Sequence, residues 1–124
     1  MLADDHKLMR EGLRMLIEKT GRLTIVGEAD NGVSAVRMAR DLKPDLVLMD
    51  VSMPDLNGIE ATRRIVTEHP DRSARPWIIA LTANAVQGDR EACLAAGMDD
   101  YISKPIKKED LAGALKRVRA PKEG

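Results

Sequence analysis

The chain has no phenylalanine, one tryptophan and one tyrosine among its 124 residues, so aromatic side chains make up 2% of it. Stacking platforms for single-stranded nucleic acid need several such rings and are excluded. The core must instead be aliphatic, helped by seven adaptable methionines. Cysteine is almost absent. Cys93 alone rules out an internal disulfide and a cysteine-based zinc cage, and it reads as a small helix residue. Net charge is missing too, because 20 Lys and Arg balance 20 Asp and Glu. Bulk electrostatics therefore favours neither nucleic acid nor an anionic membrane. No apolar run approaches the roughly 18 residues that span a bilayer, and no charged segment leads into an apolar signal core. The expectation is a soluble, cytoplasmic protein with no membrane partner, in the reducing compartment that a lone cysteine suits.

What the chain does have is length for one domain and 44% hydrophobic residues to build one core. Short apolar runs alternate with longer amphipathic segments, the rhythm of βα units around a parallel sheet. Five units are traced. Met1 to Asp4 is a stub of the first strand, and a helix over Lys7 to Lys19 places Leu8, Leu13, Leu16 and Ile17 near one face. Leu23 to Gly27 reads as the second strand, followed by a helix from Gly32 to Leu42 with Asn31 as its cap. Asp45 to Met49 is almost wholly apolar, as a central strand buried on both faces requires. A third helix over Asn57 to His69 and a polar connection from Pro70 to Pro76 precede the strand Trp77 to Leu81. The fourth helix runs from Ala85 to Ala96 and stops at Gly97, suited to a left-handed cap. Asp100 to Ser103 is the fifth strand and Lys107 to Arg119 the last helix. One domain over residues 1–119 is expected, with 120–124 as a linker-like tail.

Ligands of such sheets bind beyond the carboxyl ends of the strands. There the chain places Asp4 and Asp5, Asp50, Thr82 and Lys104 after four separate strands. Singly, each of these is ordinary turn or cap chemistry; jointly they bring carboxylates, a hydroxyl and an ammonium to one rim. Such a set suits Mg²⁺, which takes oxygen ligands and keeps waters, better than Zn²⁺. Asp5 and Asp50 are the candidate direct ligands, with Asp4 as direct or water-mediated support. A carboxylate at this place can attack phosphorus, with the metal, Lys104 and Thr82 sharing the charge that develops.

The acidic pair within Leu2 to His6, the block from Asp50 to Gly58, the pair Thr82-Ala83 and the dipeptide Lys104-Pro105 together resemble the receiver domain of two-component response regulators, over nearly the whole chain. The resemblance implies a flavodoxin-like, doubly wound (βα)5 sheet in the order 2-1-3-4-5. It implies that Asp50 accepts a phosphoryl group from a histidine kinase or a histidine phosphotransfer protein, that Asp4 and Asp5 bind Mg²⁺, and that the Ser52 carbonyl completes the protein ligands. Thr82 would bond a phosphoryl oxygen, Lys104 would pair with the phosphate, and Ala83 would leave it room. Thr82 and Tyr101 would then form the switch that remodels the face of the fourth helix, fifth strand and fifth helix. Ser52 and Asn84 stand where receivers tune phosphate lifetime. The part of the chain before Asp71 is similar to receivers of helix-turn-helix regulators, and the part after Pro76 to receivers of hybrid sensor histidine kinases.

Only Met1, Leu2 and Ala3 precede the acidic pair, so a short first strand is expected to leave backbone groups on its neighbours unpaired. Apolar residues added ahead of Met1 are expected to raise the melting temperature. His6 reads as a solvent-facing or helix-capping residue. His69 suits a helix end, and the basic residues from Lys107 to Lys122 read as a solvated final helix. The chain is then a signalling switch in a phosphorelay, catalysing only its own phosphorylation and slow dephosphorylation. Two alternatives stand beside it: a Mg²⁺-dependent phosphohydrolase with an aspartyl-phosphate intermediate, and a flavodoxin-like binding module that is never phosphorylated. The hydrolase typically carries a second Asp two residues after the nucleophile, where this chain has Ser52. No direct nucleic-acid contact is expected, and a phosphorylation-dependent homodimer is left open.

Overall fold

The computed structural model describes residues 1–21, 23–53, 55–69, 75–83 and 87–118. Expectations for Pro54, most of the connection from Pro70, Asn84, the first residues of the fourth helix, and Arg119 with the tail lie outside the described residues. The elements run β1 (Leu2–Ala3), α1 (Lys7–Thr20), β2 (Glu28–Ala29), α2 (Gly32–Leu42), β3 (Leu46–Asp50), α3 (Gly58–Glu68), β4 (Trp77–Thr82), α4 (Gln87–Ala96), β5 (Asp100–Ser103) and α5 (Lys108–Arg117). All strand pairs are parallel, in the order β2-β1-β3-β4-β5. The doubly wound α/β sheet expected from the resemblance is the observed fold, with the short first strand that the sequence leads one to expect.

Local chemistry sets the helix ends. Asn31 caps α2 by accepting from the Ser34 N–H at 2.8 Å, and Asn57 caps α3 by accepting from the Glu60 N–H at 2.9 Å. Gly97 ends α4 at φ 108°, and the Met98 N–H reaches back to the Cys93 carbonyl at 3.1 Å, the closure of a left-handed cap. The sheet separates two apolar layers. Val47, Met49, Ile78 and Ala80 pack with Ala35, Ala39, Ala61 and Ile65 of α2 and α3. Leu46, Leu48, Ile79 and Leu81 pack with Leu13 and Ile17 of α1 and Leu111 of α5. Every residue of β3 is buried, so the apolar run is central as its composition requires.

The second strand differs from the sequence reading. Pairing is confined to Glu28 and Ala29, opposite Leu2 and Ala3, whereas the segment 23–27 forms no strand. The reason is its neighbour: β1 is two residues long, so the apolar residues before Gly27 have no strand beside them to pair with. Leu8 also differs. It is 82% exposed, while Leu13 and Ile17 are buried. At about 100° per residue, five positions turn Leu8 some 140° away from Leu13, off the buried stripe. β3 is shifted by one residue, so that Asp50 is its last member rather than the first residue after it.

Candidate functional site

The carboxyl ends of four strands, β1, β3, β4 and β5, build the rim. Asp4 follows β1 directly and is fully buried, held by its own backbone N–H, which donates to the Ala29 carbonyl at 2.9 Å. Asp50 closes β3 and is 1% exposed. Behind it α3 approaches so closely that a Cβ on Gly58 would collide with the Asp50 carbonyl, and the Gly58 N–H bonds the Val51 carbonyl at 2.9 Å. Glycine at 58 is therefore what lets α3 start against the end of β3.

Lys104 joins the two buried carboxylates. Its Nζ lies 3.1 Å from Asp50 Oδ1 and 3.6 Å from Asp4 Oδ2. The lysine is delivered by the sheet, since its N–H donates to the Thr82 carbonyl at 2.7 Å just past the paired Thr82 and Ser103. Asp50 Oδ1 also accepts from the Ser52 N–H at 3.1 Å. Burial pushes the Asp50 carboxyl above its ordinary pKa, against the hydrogen bond from Lys104; the charge of Asp4 adds to the rise.

One ligand atom from each of Asp4, Asp5, His6 and Asp50 can be chosen so that all lie within 4.8 Å of one another. Asp4 Oδ2 and Asp50 Oδ2 are buried and accept no hydrogen bond. Buried carboxylate oxygens without donors are costly unless a cation completes them, so the donor set fits a hard divalent cation with oxygen ligands.

Asp4, Asp5, Asp50 and Lys104 are thus brought together. Thr82 is buried at the end of β4, one strand from Asp50. Tyr101 stands apart on β5, half-buried against the α2–α3–α4 layer, with the Arg90 guanidinium 5.4 Å from its ring centroid. His6 is exposed, as read from sequence, but makes no side-chain cap; its Nδ1 lies 3.1 Å from Asp5 Oδ1.

Three residues, Arg10, Arg14 and Glu28, escaped the sequence reading. Arg10 donates to the Asp4 carbonyl at 2.6 Å and its Nε to Glu28 at 3.2 Å, and Arg14 pairs with the same Glu28. These contacts brace the acidic loop against α1 and β2. The only signal was an arginine one turn into α1, which reads as a solvated face.

The family model for the response regulator receiver domain matches residues 1–116. The response regulator GacA of Pseudomonas viridiflava is 36% identical over 120 residues, 97% of this chain and 54% of that protein. The transcriptional regulatory protein YdfI of Bacillus subtilis is 46% identical over 111 residues, 90% of this chain and 50% of that protein. The chain therefore spans about half the length of these curated relatives. Among solved structures, the receiver domain of sensor histidine kinase PA1611 from Pseudomonas aeruginosa, with magnesium coordinated in its active site cleft, superposes with a TM-score of 0.81 at 40% identity, covering 94% of this chain and 93% of that one. The proteins this chain resembles thus include response regulators and the receiver domain of a sensor histidine kinase. With the rim at the strand ends and the match running across the whole described sheet, this chain belongs to the response regulator receiver domain family of two-component signalling.

Proposed function

We propose that Asp50 is the phosphoryl acceptor and that Asp4, Asp5 and Asp50, with the Ser52 carbonyl, hold Mg²⁺. The observation that carries this is the placement of one ammonium, Lys104, between two buried carboxylates, each with an Oδ2 that accepts no hydrogen bond. In the reaction an Asp50 oxygen forms a bond to phosphorus while the P–N bond of a phosphohistidine donor breaks, and the departing imidazole takes up a proton. When bound, the metal supplies positive charge to the phosphoryl oxygens and screens the approach of two anions. Lys104 pairs with a phosphoryl oxygen, exchanging its contact with Asp50 for one with the product. Thr82 donates its hydroxyl to another. The backbone N–H of Ser52 holds the Asp50 side chain in place.

The switch is formed by Thr82 and Tyr101, a reading supported by the position of Tyr101 on β5, beside the strand that carries Thr82. Movement of the Thr82 hydroxyl toward the phosphoryl group frees space into which the Tyr101 ring turns, breaking its contact with Arg90 and altering the face of α4, β5 and α5. The phosphodonor is a histidine kinase or histidine phosphotransfer protein. Support comes from α1, where Leu8 and Met15 are exposed beside His6 and Ile106, an apolar strip next to the acidic rim. Catalysis is limited to acceptance of the phosphoryl group and its slow hydrolysis.

Incubation with Mg²⁺ and a small acyl-phosphate donor, read by intact mass, tests the reading. One added phosphoryl group is expected in the wild type and none in Asp50→Asn. An undiminished adduct in that variant would sink the proposal, and continuous turnover of unrelated phosphomonoesters would assign the site to a hydrolase.

A further inference from the structure

Beside the acidic rim stands an imidazole that phosphoryl acceptance does not use. Asp4, Asp5 and Asp50 alone offer oxygen, the donor set of Mg²⁺. His6 adds a nitrogen. Its Nδ1 lies 3.1 Å from Asp5 Oδ1 and 3.4 Å from Asp4 Oδ1. Two ligand atoms bonded to one Zn²⁺ at about 2.0–2.2 Å stand about 3.3–3.6 Å apart when the angle at the metal is tetrahedral. Both separations are close to such an edge before any ion draws the atoms in. Asp50 completes the set, since one ligand atom from each of the four residues lies within 4.8 Å of the others.

The backbone holds His6 in place. Its N–H donates to Asp4 Oδ1 at 2.8 Å, and its carbonyl accepts from the Arg10 N–H at 3.0 Å as α1 begins. The ring therefore has only its own side-chain torsions left to settle. Its side chain is 70% exposed, so coordination costs the imidazole little desolvation. The carboxylates supply what an exposed histidine lacks. Asp4 and Asp50 are buried, and each keeps an Oδ2 that accepts no hydrogen bond. Lys104 engages Asp50 through Oδ1 and leaves the other oxygen for an ion. A plain ion pair between His6 and Asp5 accounts for the ring but leaves those buried oxygens uncompensated.

Resting on the reading that these carboxylates hold a divalent cation, we propose that His6 is a further protein ligand and makes the rim select a borderline transition ion, Zn²⁺, over Mg²⁺. Imidazole nitrogen suits Zn²⁺, whereas Mg²⁺ prefers oxygen and keeps its waters. The two ions then compete for one rim, and His6 decides between them.

The test titrates the 124-residue chain with Zn²⁺ and with Mg²⁺ by calorimetry, beside His6→Ala, Asp5→Asn and Asp50→Asn. The wild type is expected to bind Zn²⁺ more tightly than Mg²⁺. In His6→Ala the ratio of Zn²⁺ to Mg²⁺ affinity is expected to fall about tenfold or more, since even groups that only support a ligand are worth about 10–100-fold. Imidazole NMR signals give a second readout, because the chain has two histidines. His69 sits at the far end of α3, its Nδ1 2.9 Å from the Ile65 carbonyl, so one equivalent of Zn²⁺ should move the His6 signals alone. Cys93 is buried and offers no competing thiolate. Equal losses of both metals in His6→Ala, or loss of neither, would overturn the proposal. So would Zn²⁺ binding that needs His6 but neither Asp5 nor Asp50, the mark of an adventitious surface histidine. Failure of the underlying reading looks different: Mg²⁺ then shows no saturable binding in the wild type. In that case Zn²⁺ binding that needs His6, Asp5 and Asp50 together still supports the proposal, and its absence overturns it.

Discussion

Lys104 Nζ stands 3.1 Å from Asp50 Oδ1 and 3.6 Å from Asp4 Oδ2, a single ammonium shared by two buried carboxylates. One positive charge cannot balance both, and the imbalance governs how the rim responds to mutation and to metal.

Asp50→Asn should raise the melting temperature in the absence of divalent cations. Burial holds the Asp50 pKa above its unfolded value. The unfolded chain therefore loses this proton first, and the carboxylate destabilises the fold at pH values above its folded pKa; the penalty disappears below the unfolded one. Mg²⁺ should stabilise the wild type by about 1.4 kcal/mol at ten times its Kd, and chelation should reverse it. The substitution should abolish most of that gain, as followed by thermal melts with and without Mg²⁺. A variant that melts lower than wild type without metal would contradict the electrostatic account.

Arg10→Ala should weaken Mg²⁺ binding about tenfold, because it removes the donor that holds the Asp4 backbone carbonyl. Arg40→Ala cuts an exposed pair with Glu68 and should leave Mg²⁺ affinity unchanged. Metal titrations of the two variants make the comparison, and equal losses would show that Arg10 acts only on general stability.

Gly58→Ala should destabilise by about 1–3 kcal/mol, since its methyl group meets the Asp50 and Val51 backbone and the start of α3 must shift. Gly12→Ala, inside α1 with open space at the Cβ position, should stabilise by about 0.5–1 kcal/mol. Denaturant unfolding of both variants checks the pair of opposite signs.

Stability should rise as pH is taken from 6 to 8. Burial lowers the Met1 ammonium from 8.0 to about 6, with Asp45 opposing the shift. Between these values the unfolded chain holds more protons than the folded one, so the slope of stability against pH is positive. The cost is fully present below the folded value and gone above the unfolded one. Two units correspond to roughly 2–3 kcal/mol. Acetylating the amine should flatten this part of the pH profile, measured by urea unfolding at each pH.

The acidic rim was legible before the structure because each of its residues follows an apolar run, and strand ends can be found from such runs alone. Asp4, Asp5, Asp50 and Lys104 were placed together on that basis, and they do converge. Helix α2 was readable to the residue, since Asn31 and the periodic apolar positions mark its limits. The second strand was not, although Leu23 to Val26 has the right composition. Composition reports what a segment can pair with, and pairing needs a neighbour of matching length. Leu8 and Arg10 failed for a related reason: a leucine or an arginine in the first turn of a helix does not reveal which way that turn faces.

The sequence by itself determined the alternation of elements, the burial of β3 and the chemistry carried to the strand ends, because these follow from local periodicity and from where polar residues interrupt apolar ones. Tertiary structure alone decided that Lys104 is shared between Asp4 and Asp50, that Arg10 and Glu28 brace the acidic loop, and that residues 23–26 are left without a strand beside them. Each of these depends on distances between segments far apart in the chain, which the register of the sheet sets and no local pattern encodes.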